Sequence, residues 1–245
     1  FIPSTEQLVY NYQVGHQHVP ANLTILRQVF ESEDVLGQNQ LRVGVLFSRG
    51  LVQTQELFRI FQNRQLCAKV AELDLSWSVN GHNLTPLTLA LKRMSNLNVL
   101  CLRNNFISDR PFTGRMDMLS HLNLSGNRLG FVAFKDLLPE VPNLQTLILS
   151  ENRIGQRGPG EDAEVNDVGV RNALRQLPNG LQHLHINNNQ LDNNFRDGLY
   201  AFLNQEVGNQ RLERSLLVVN LKGNNLVDLG QEFRNNNDDP IELQF

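Results

Sequence analysis

Three histidines come nearest to a metal site among the residues of this chain. His183 and His185 are separated by one residue, and His121 lies in a similar segment earlier in the chain. Residues two apart in a strand share a face, with backbones roughly 6.5 Å apart. A zinc site would also need close approach by Glu72 or Asp74, because structural zinc usually requires four converging ligands. We therefore expect no metal and no other cofactor, and assign the histidines to a polar surface.

A cysteine nucleophile is the second chemistry to consider. Cys101 is expected on the exposed side of a strand, with His121 on the next strand as a base. A catalytic thiol also needs a group that orients the base, and the sequence supplies no obvious one. Cys67 is the only other cysteine, far short of a disulfide framework, which favours a reducing compartment. We expect no enzymatic activity.

An acidic, glycine-rich loop is the third feature. Residues 155–166 include the run Gly158-Pro-Gly-Glu-Asp-Ala-Glu. A phosphate-binding loop would place Lys and Ser or Thr after its last glycine, and this run does not. The loop is expected to form either a solvated acidic rim or a second contact with a partner.

Composition and charge exclude several classes of partner. The chain has 245 residues, a formal net charge of −3, 40% hydrophobic residues and 19% charged residues. This balance is typical of a globular protein and gives no basic stripe for nucleic acid. No run approaches the roughly 18 apolar residues of a membrane span, so no membrane partner is expected. The chain begins at Phe1, without Met or a signal-peptide pattern, and we expect it to be a piece of a longer protein.

An internal repeat must position all of these residues. The pattern Leu-x2-Leu-x-Leu-x2-Asn-x-Leu, with Ile or Val at some Leu positions, occurs five times, at residues 97–107, 119–129, 144–154, 181–191 and 216–226. An earlier copy at residues 70–75 keeps the strand and interrupts the turn, and residues 41–47 are predicted to be a degenerate first strand. Self-similarity of this length predicts a stacked architecture.

The spacing within one unit has a direct physical meaning. Leucines two residues apart point inward from a short strand, while their neighbours point outward. The Asn at the following turn can bond backbone groups that the turn leaves unpaired, and stacked units would align these residues in a ladder. Helices are predicted at residues 54–66, 131–138, 167–177 and 194–207, and at 85–94 with Thr85 as N-cap and Pro86 as the first helical residue.

The five copies resemble the leucine-rich-repeat family, and the helical return segments are similar to its ribonuclease-inhibitor-like branch. The resemblance covers about residues 70–230 and implies an α/β solenoid, with a curved parallel sheet on the concave side and helices and irregular turns on the convex side. Irregular repeat lengths, many asparagines and the lack of cysteine-rich caps resemble effectors that intracellular bacterial pathogens inject into host cells. Because the repeats are shorter, less uniform and poorer in cysteine than those of the ribonuclease inhibitor, ribonuclease is not implied as a ligand.

The outward strand positions are the predicted protein-binding surface. Its candidate residues are Glu72, Asp74, Val99, Cys101, Arg103, His121, Asn123, Ile148, Ser150, His183, His185, Asn187, Asn220 and Lys222. Trp77, the only tryptophan, is predicted either to contact the partner at the edge of this surface or to pack over the insertion that follows it.

The resemblance implies a module that binds a protein through the concave face and blocks or recruits it, as an inhibitor or virulence effector would. An architectural scaffold bridging two partners is one alternative. The other is a GTPase-activating regulator, for which no rim motif can be matched. We expect a monomer in the cytoplasm, or in a host cytosol after bacterial secretion. The predicted divisions are an N-terminal capping region at 1–40, the repeats at 41–230 and a tail at 231–245.

Overall fold

A single parallel sheet dominates the protein. The computed structural model describes residues 10–14, 41–47, 61–77, 79, 84–156, 167–203, 206–207, 210–211, 216–226 and 242–244. Within them, an α/β fold has a nine-stranded sheet in which strand order follows sequence order. The sheet contains β1 (Tyr10–Val14), β2 (Leu41–Phe47), β3 (Val70–Asp74), β4 (Val99–Cys101), β5 (His121–Asn123), β6 (Thr146–Ile148), β7 (His183–His185), β10 (Val218–Asn220) and β11 (Glu242–Gln244). A separate antiparallel pair consists of β8 (Glu206–Val207) and β9 (Gln210–Arg211).

Helices and turns connect the strands. The described helices are α1 (Arg64–Lys69), α2 (Thr85–Leu91), α3 (Phe131–Leu137), α4 (Asp167–Leu174) and α5 (Asn193–Leu203), and a 3-10 turn at Leu138–Glu140 extends α3. The side chain of Asn63 caps α1 by accepting hydrogen bonds from the backbone N–H groups of Gln65 and Leu66. Each of these helices lies between two successive strands of the sheet, as parallel pairing requires a crossover connection.

The core lies between the sheet and the helices. The central residues of neighbouring strands pair laterally and are buried, in the order Leu73, Leu100, Leu122, Leu147, Leu184 and Val219. On the opposite side, Phe131 and Phe134 of α3 and Phe195 of α5 are also fully buried in the same cluster. One face of the sheet is therefore sealed, and the alternating residues lie on the other face.

The predicted asparagine ladder is present in the structure. Asn127 is central: its Oδ1 accepts from the backbone N–H groups of Asn105 at 2.9 Å and Ile107 at 3.0 Å. Its Nδ2 donates to the backbone oxygens of Leu102 at 2.9 Å and Leu124 at 2.8 Å. Each such amide therefore ties its own turn to the turn of the preceding repeat. Equivalent bonds to the preceding repeat are made by Asn105, Asn152, Asn189 and Asn224.

Several sequence-based boundaries are confirmed and others are wrong. The degenerate first strand at 41–47 is present as β2, and the helix predicted at 131–138 matches α3 with its 3-10 extension. Thr85 is not the N-cap of α2, because the helix already includes it and Leu84 occupies the cap position without a side-chain bond.

Two further helices differ from prediction. The described part of the helix predicted at 54–66 begins only at Arg64, while 54–60 lie outside the described residues. The helix predicted at 194–207 ends at Leu203, and Glu206–Val207 pairs with Gln210–Arg211 instead. The physical reason is that two-residue Gly-containing connections favour β-hairpins, and here Gly208-Asn209 separates the two short strands.

The ends of the chain contribute strands to the same sheet. β1 falls in the predicted capping region and pairs with β2, while β11 falls in the predicted tail and pairs with β10. The sequence also predicts a helix near residues 21–31 and a turn at 235–240, and both segments lie outside the described residues. Across the residues that are described, no helix has both the length and the apolar character needed to cross a membrane.

Candidate protein-binding face

The outward side chains of the strands form rows across the sheet. Strand register aligns the first row, which consists of Glu72, Val99, His121, Thr146, His183 and Val218. It aligns the second row, which consists of Asp74, Cys101, Asn123, Ile148, His185 and Asn220. His121 is exposed and every other member is partly exposed. We call these two rows, with the third row below, the sheet face.

The third row lies where the strands end. Its members are Ser76, Arg103, Ser125, Ser150, Asn187 and Lys222. Arg103 and Lys222 are exposed, whereas the three serines are buried. Ser125 Oγ donates to Asn123 Oδ1 at 2.7 Å, and Ser150 Oγ bonds Asn187 Oδ1. These hydroxyls fix the ends of the strands, so Ser150 is a structural residue more than an accessible contact.

Cys101 lies in a chain of hydrogen bonds that does not include His121. Its Sγ is 3.1 Å from Ser76 Oγ, which donates to Asp74 Oδ1 at 2.6 Å. Burial is the main cause that raises the pKa of the Cys101 thiol, and the negative charge of Asp74 raises it further. The thiol is therefore held in its protonated form, which is a poor nucleophile. Neither Cys101 nor Cys67 forms a disulfide.

The histidines are divided between two places. The rings of His183 and His185 stack with centroids 6.5 Å apart and planes 8° apart. Burial lowers the pKa of His185, and the nearby His183 lowers it further. His121 lies two strands away, with its Nδ1 2.6 Å from Ser120 Oγ. Among the described residues, no group of three or more His, Cys, Asp or Glu could hold a metal ion.

A row of residues in the left-handed backbone conformation borders the sheet face. It follows the third row and consists of Trp77, Asn104, Gly126, Glu151, Asn188 and Gly223, with φ between 54° and 68°. The side-chain amide of Asn104 packs so closely over Gly126 that a Cβ there would lie 1.8 Å from an Asn104 amide atom. Each turn therefore nests against the turn of its neighbour, and glycine is needed where an Asn side chain covers the backbone.

Trp77 lies in this row with 45% of its surface exposed. The amide oxygen of Asn104, in the orientation that its neighbouring donors require, lies 3.2 Å from Trp77 Nε1 and 3.2 Å from Arg103 Nε. The indole is therefore held at the edge of the sheet face with its ring accessible to solvent. Trp77 is not part of the core. Most of the insertion that follows it, at 78 and 80–83, lies outside the described residues, so the choice between a partner contact and packing over the insertion stays a prediction.

Phe106 and two arginines were not identified from the sequence. Phe106 is 48% exposed and also left-handed, with φ 57°, and Arg128 Cζ lies 4.9 Å from its ring centroid. Arg153 occupies the position equivalent to Arg128 in the next repeat and is also exposed. Trp77, Arg103, Phe106, Arg128 and Arg153 are called the edge cluster below. A sequence signal for Phe106, Arg128 and Arg153 did exist. Each directly follows a ladder asparagine, and that position is exposed in every repeat from residue 97 onward.

The acidic loop falls largely outside the described residues. Only Gly155 and Gln156 of the predicted 155–166 segment are described. Gly155 is buried, and a Cβ there would lie 2.3 Å from the backbone oxygen of Gln190. The loop therefore leaves the repeat from a tightly packed position, and its predicted contact with a partner stays a prediction.

No family model matches the chain, and no curated protein matches it significantly. The function of the chain is therefore inferred from its own residues and geometry.

Proposed function

We propose that the chain is a leucine-rich-repeat solenoid that binds a protein partner through the sheet face. The repeat spacing, the sequential parallel strands and the asparagine ladder support the solenoid. The observation that carries the binding function is the continuity of the outward rows. They extend across six strands, or roughly 24 Å at about 4.8 Å per strand, while the opposite side is sealed by the core.

The chemistry of the face supports a protein more than a small molecule. Apolar Val99, Ile148 and Val218 alternate with polar and ionisable groups, as in specific protein interfaces. A rigid backbone also reduces the ordering cost of association. Here the ladder amides and the serine hydroxyls of the third row fix the turns and strand ends.

The test is affinity purification compared between two variants with the same charge change. Ile148→Arg with His183→Arg places two guanidinium groups in the middle of the face. Gln176→Arg with Asn179→Arg adds the same charge at exposed positions next to the end of α4. We expect partners retained by the wild type and the α4 variant to be lost from the face variant, and the purified partner to show the same order in calorimetry.

The proposal fails if the face variant retains every partner with unchanged affinity while it melts at the wild-type temperature. Binding would then lie elsewhere on the molecule. Turnover of a substrate by the isolated chain would also overturn it, because the proposal assigns no catalysis to these residues.

A further inference from the structure

The edge cluster is rich in exposed aromatic and arginine side chains. It combines two exposed aromatic rings with three exposed arginines, in a chain whose net charge is −3. Trp and Arg are the residues most enriched at binding hot spots, because they bury large areas and also donate hydrogen bonds. The cluster therefore differs from a merely solvated edge.

The members are held together by contacts between repeats. Asn104 bridges Trp77 and Arg103 through its side-chain oxygen. The backbone N–H of Arg128 donates to Ile107 at 2.7 Å, and that of Arg153 donates to Leu129 at 3.0 Å, which places Phe106, Arg128 and Arg153 in one lateral series. Spanning β3 to β6, the cluster is about 14 Å wide.

The backbone at both aromatic residues is strained. Trp77 has φ 60° and Phe106 has φ 57°, a region that is unfavourable for bulky side chains. The repeats place glycine at the position equivalent to Trp77 in two other cases, Gly126 and Gly223. Since Trp77 is half exposed, core packing does not account for a tryptophan there. Strain of this kind tends to occur at functional sites.

The arginines have no acidic partner within the described part of the chain. The ion pairs found there join Arg110 to Glu140, Arg115 to Asp117 and Arg196 to Asp197. Arg128 instead lies over the ring of Phe106. Three guanidinium groups beside two aromatic rings are electrostatically complementary to carboxylates carried on a short extended chain.

We propose that the edge cluster binds an acidic, extended segment of the partner protein. This inference rests on the proposed function and specifies the chemistry of the partner. Single-stranded nucleic acid also binds arginines beside aromatic rings, but it needs a longer basic groove, and the overall charge of −3 opposes a long polyanion. A segment of about four residues at roughly 3.3 Å each matches the width of the cluster.

The experiment uses the whole chain and a defined probe. The probe is a capped peptide, Glu-Asp-Leu-Glu-Asp-Leu-Glu-Asp, labelled for fluorescence polarisation, and its neutral counterpart has Gln and Asn in place of the acids. Trp77 is the only tryptophan, so its emission reports directly on the cluster. Arg128→Gln with Arg153→Gln is compared with Arg64→Gln and Arg93→Gln, which removes two exposed arginines elsewhere.

We expect the acidic peptide to bind the wild-type protein and to shift the Trp77 emission. Its affinity for the variant with Arg128→Gln and Arg153→Gln should be about tenfold lower. The Arg64/Arg93 variant should match the wild type, and the neutral peptide should not bind. Trp77→Asn, which suits a left-handed position, should retain the wild-type melting temperature and still weaken binding. A large loss of stability in that variant would assign Trp77 to structure and overturn its binding role.

Other outcomes also overturn the inference. Equal binding of acidic and neutral peptides, or unchanged binding by the Arg128/Arg153 variant, would exclude charge recognition. Tighter binding of a dT10 oligonucleotide would make nucleic acid the occupant. A shift in Trp77 emission with protein concentration alone would make a second copy of the chain the occupant. If the Arg128/Arg153 substitutions leave peptide binding unchanged while the Ile148/His183 variant loses its partners, this inference fails and the proposed function stands.

Discussion

Asn127 shows how one side chain can satisfy two turns. It is 5% exposed, and its oxygen and nitrogen bond backbone groups of two successive repeats. Asn127→Ala would leave buried donors and acceptors unpaired, and we expect a loss of roughly 2–4 kcal/mol in the free energy of unfolding. Urea denaturation measures this value. Asn179→Ala, at an exposed position, is the control and should change stability by less than about 0.5 kcal/mol; equal effects would contradict the ladder.

His185 should make stability depend on pH. Its pKa in the folded protein is lowered, chiefly by burial and then by His183, so the folded state favours the neutral imidazole. The contribution of neutral His185 to folding stability is complete above the unfolded pKa of about 6.5. It is lost as pH falls through the lower folded pKa, because the unfolded chain takes up the proton first. We expect a lower urea midpoint at pH 5 than at pH 7.5, and a smaller decrease in His185→Asn. An identical decrease in both proteins would exclude this cause.

Some features at this scale could be predicted and others could not. Alternation placed the outward residues correctly in rows because a strand has a period of two. The left-handed row also has a signature in the sequence, because Asn and Gly, which tolerate that conformation, recur at its positions. Trp77 and Phe106 adopt it against their own preference, so their conformation depends on neighbouring turns, which a single sequence does not reveal.

Among the elements, helix α3 lacks a side-chain cap at its N-terminus. Its cap position is Gly130, which makes no side-chain hydrogen bond and has open space where a Cβ would be. Serine there can accept a hydrogen bond from the first turn, and its φ of −88° suits any residue. Gly130→Ser should therefore raise the free energy of unfolding by a few tenths of a kcal/mol up to about 1 kcal/mol.

Calorimetric melting temperatures would show that gain. Gly126→Ser is the paired control, and it should destabilise the protein because its φ is +67° and the Asn104 side chain fills the space. A lower melting temperature for Gly130→Ser would contradict the capping argument.

Element ends were the weakest predictions, for a physical reason. Hydrophobic spacing identifies the strand and the buried face of a helix, but a helix end depends on which local bonds compete there. Gly208 follows the predicted helix at a position typical of a helix end, but Gly followed by Asn also favours a hairpin between short strands. The pairing of Glu206–Val207 with Gln210–Arg211 shows that the second tendency prevailed.

At the scale of the whole molecule, contacts are mostly between neighbours in the sequence of strands. Each inner strand of the described sheet pairs with the one before and the one after it. Stability in such an arrangement is expected to decrease toward the ends, because terminal strands have one partner instead of two. Hydrogen exchange should therefore be slowest in β4 to β7 and faster in β1 and β11. Uniform protection across the sheet would indicate an all-or-none unit instead.

The separation of roles between buried amides and outward side chains has a practical consequence. Because the turns are bonded mainly through Asn105, Asn127, Asn152 and Asn189, many first-row positions contribute little to holding the backbone. A combinatorial library randomised at Val99, Thr146 and Val218 should consequently retain a high proportion of folded members. The scaffold would then serve for selecting new specificities without redesign of its interior.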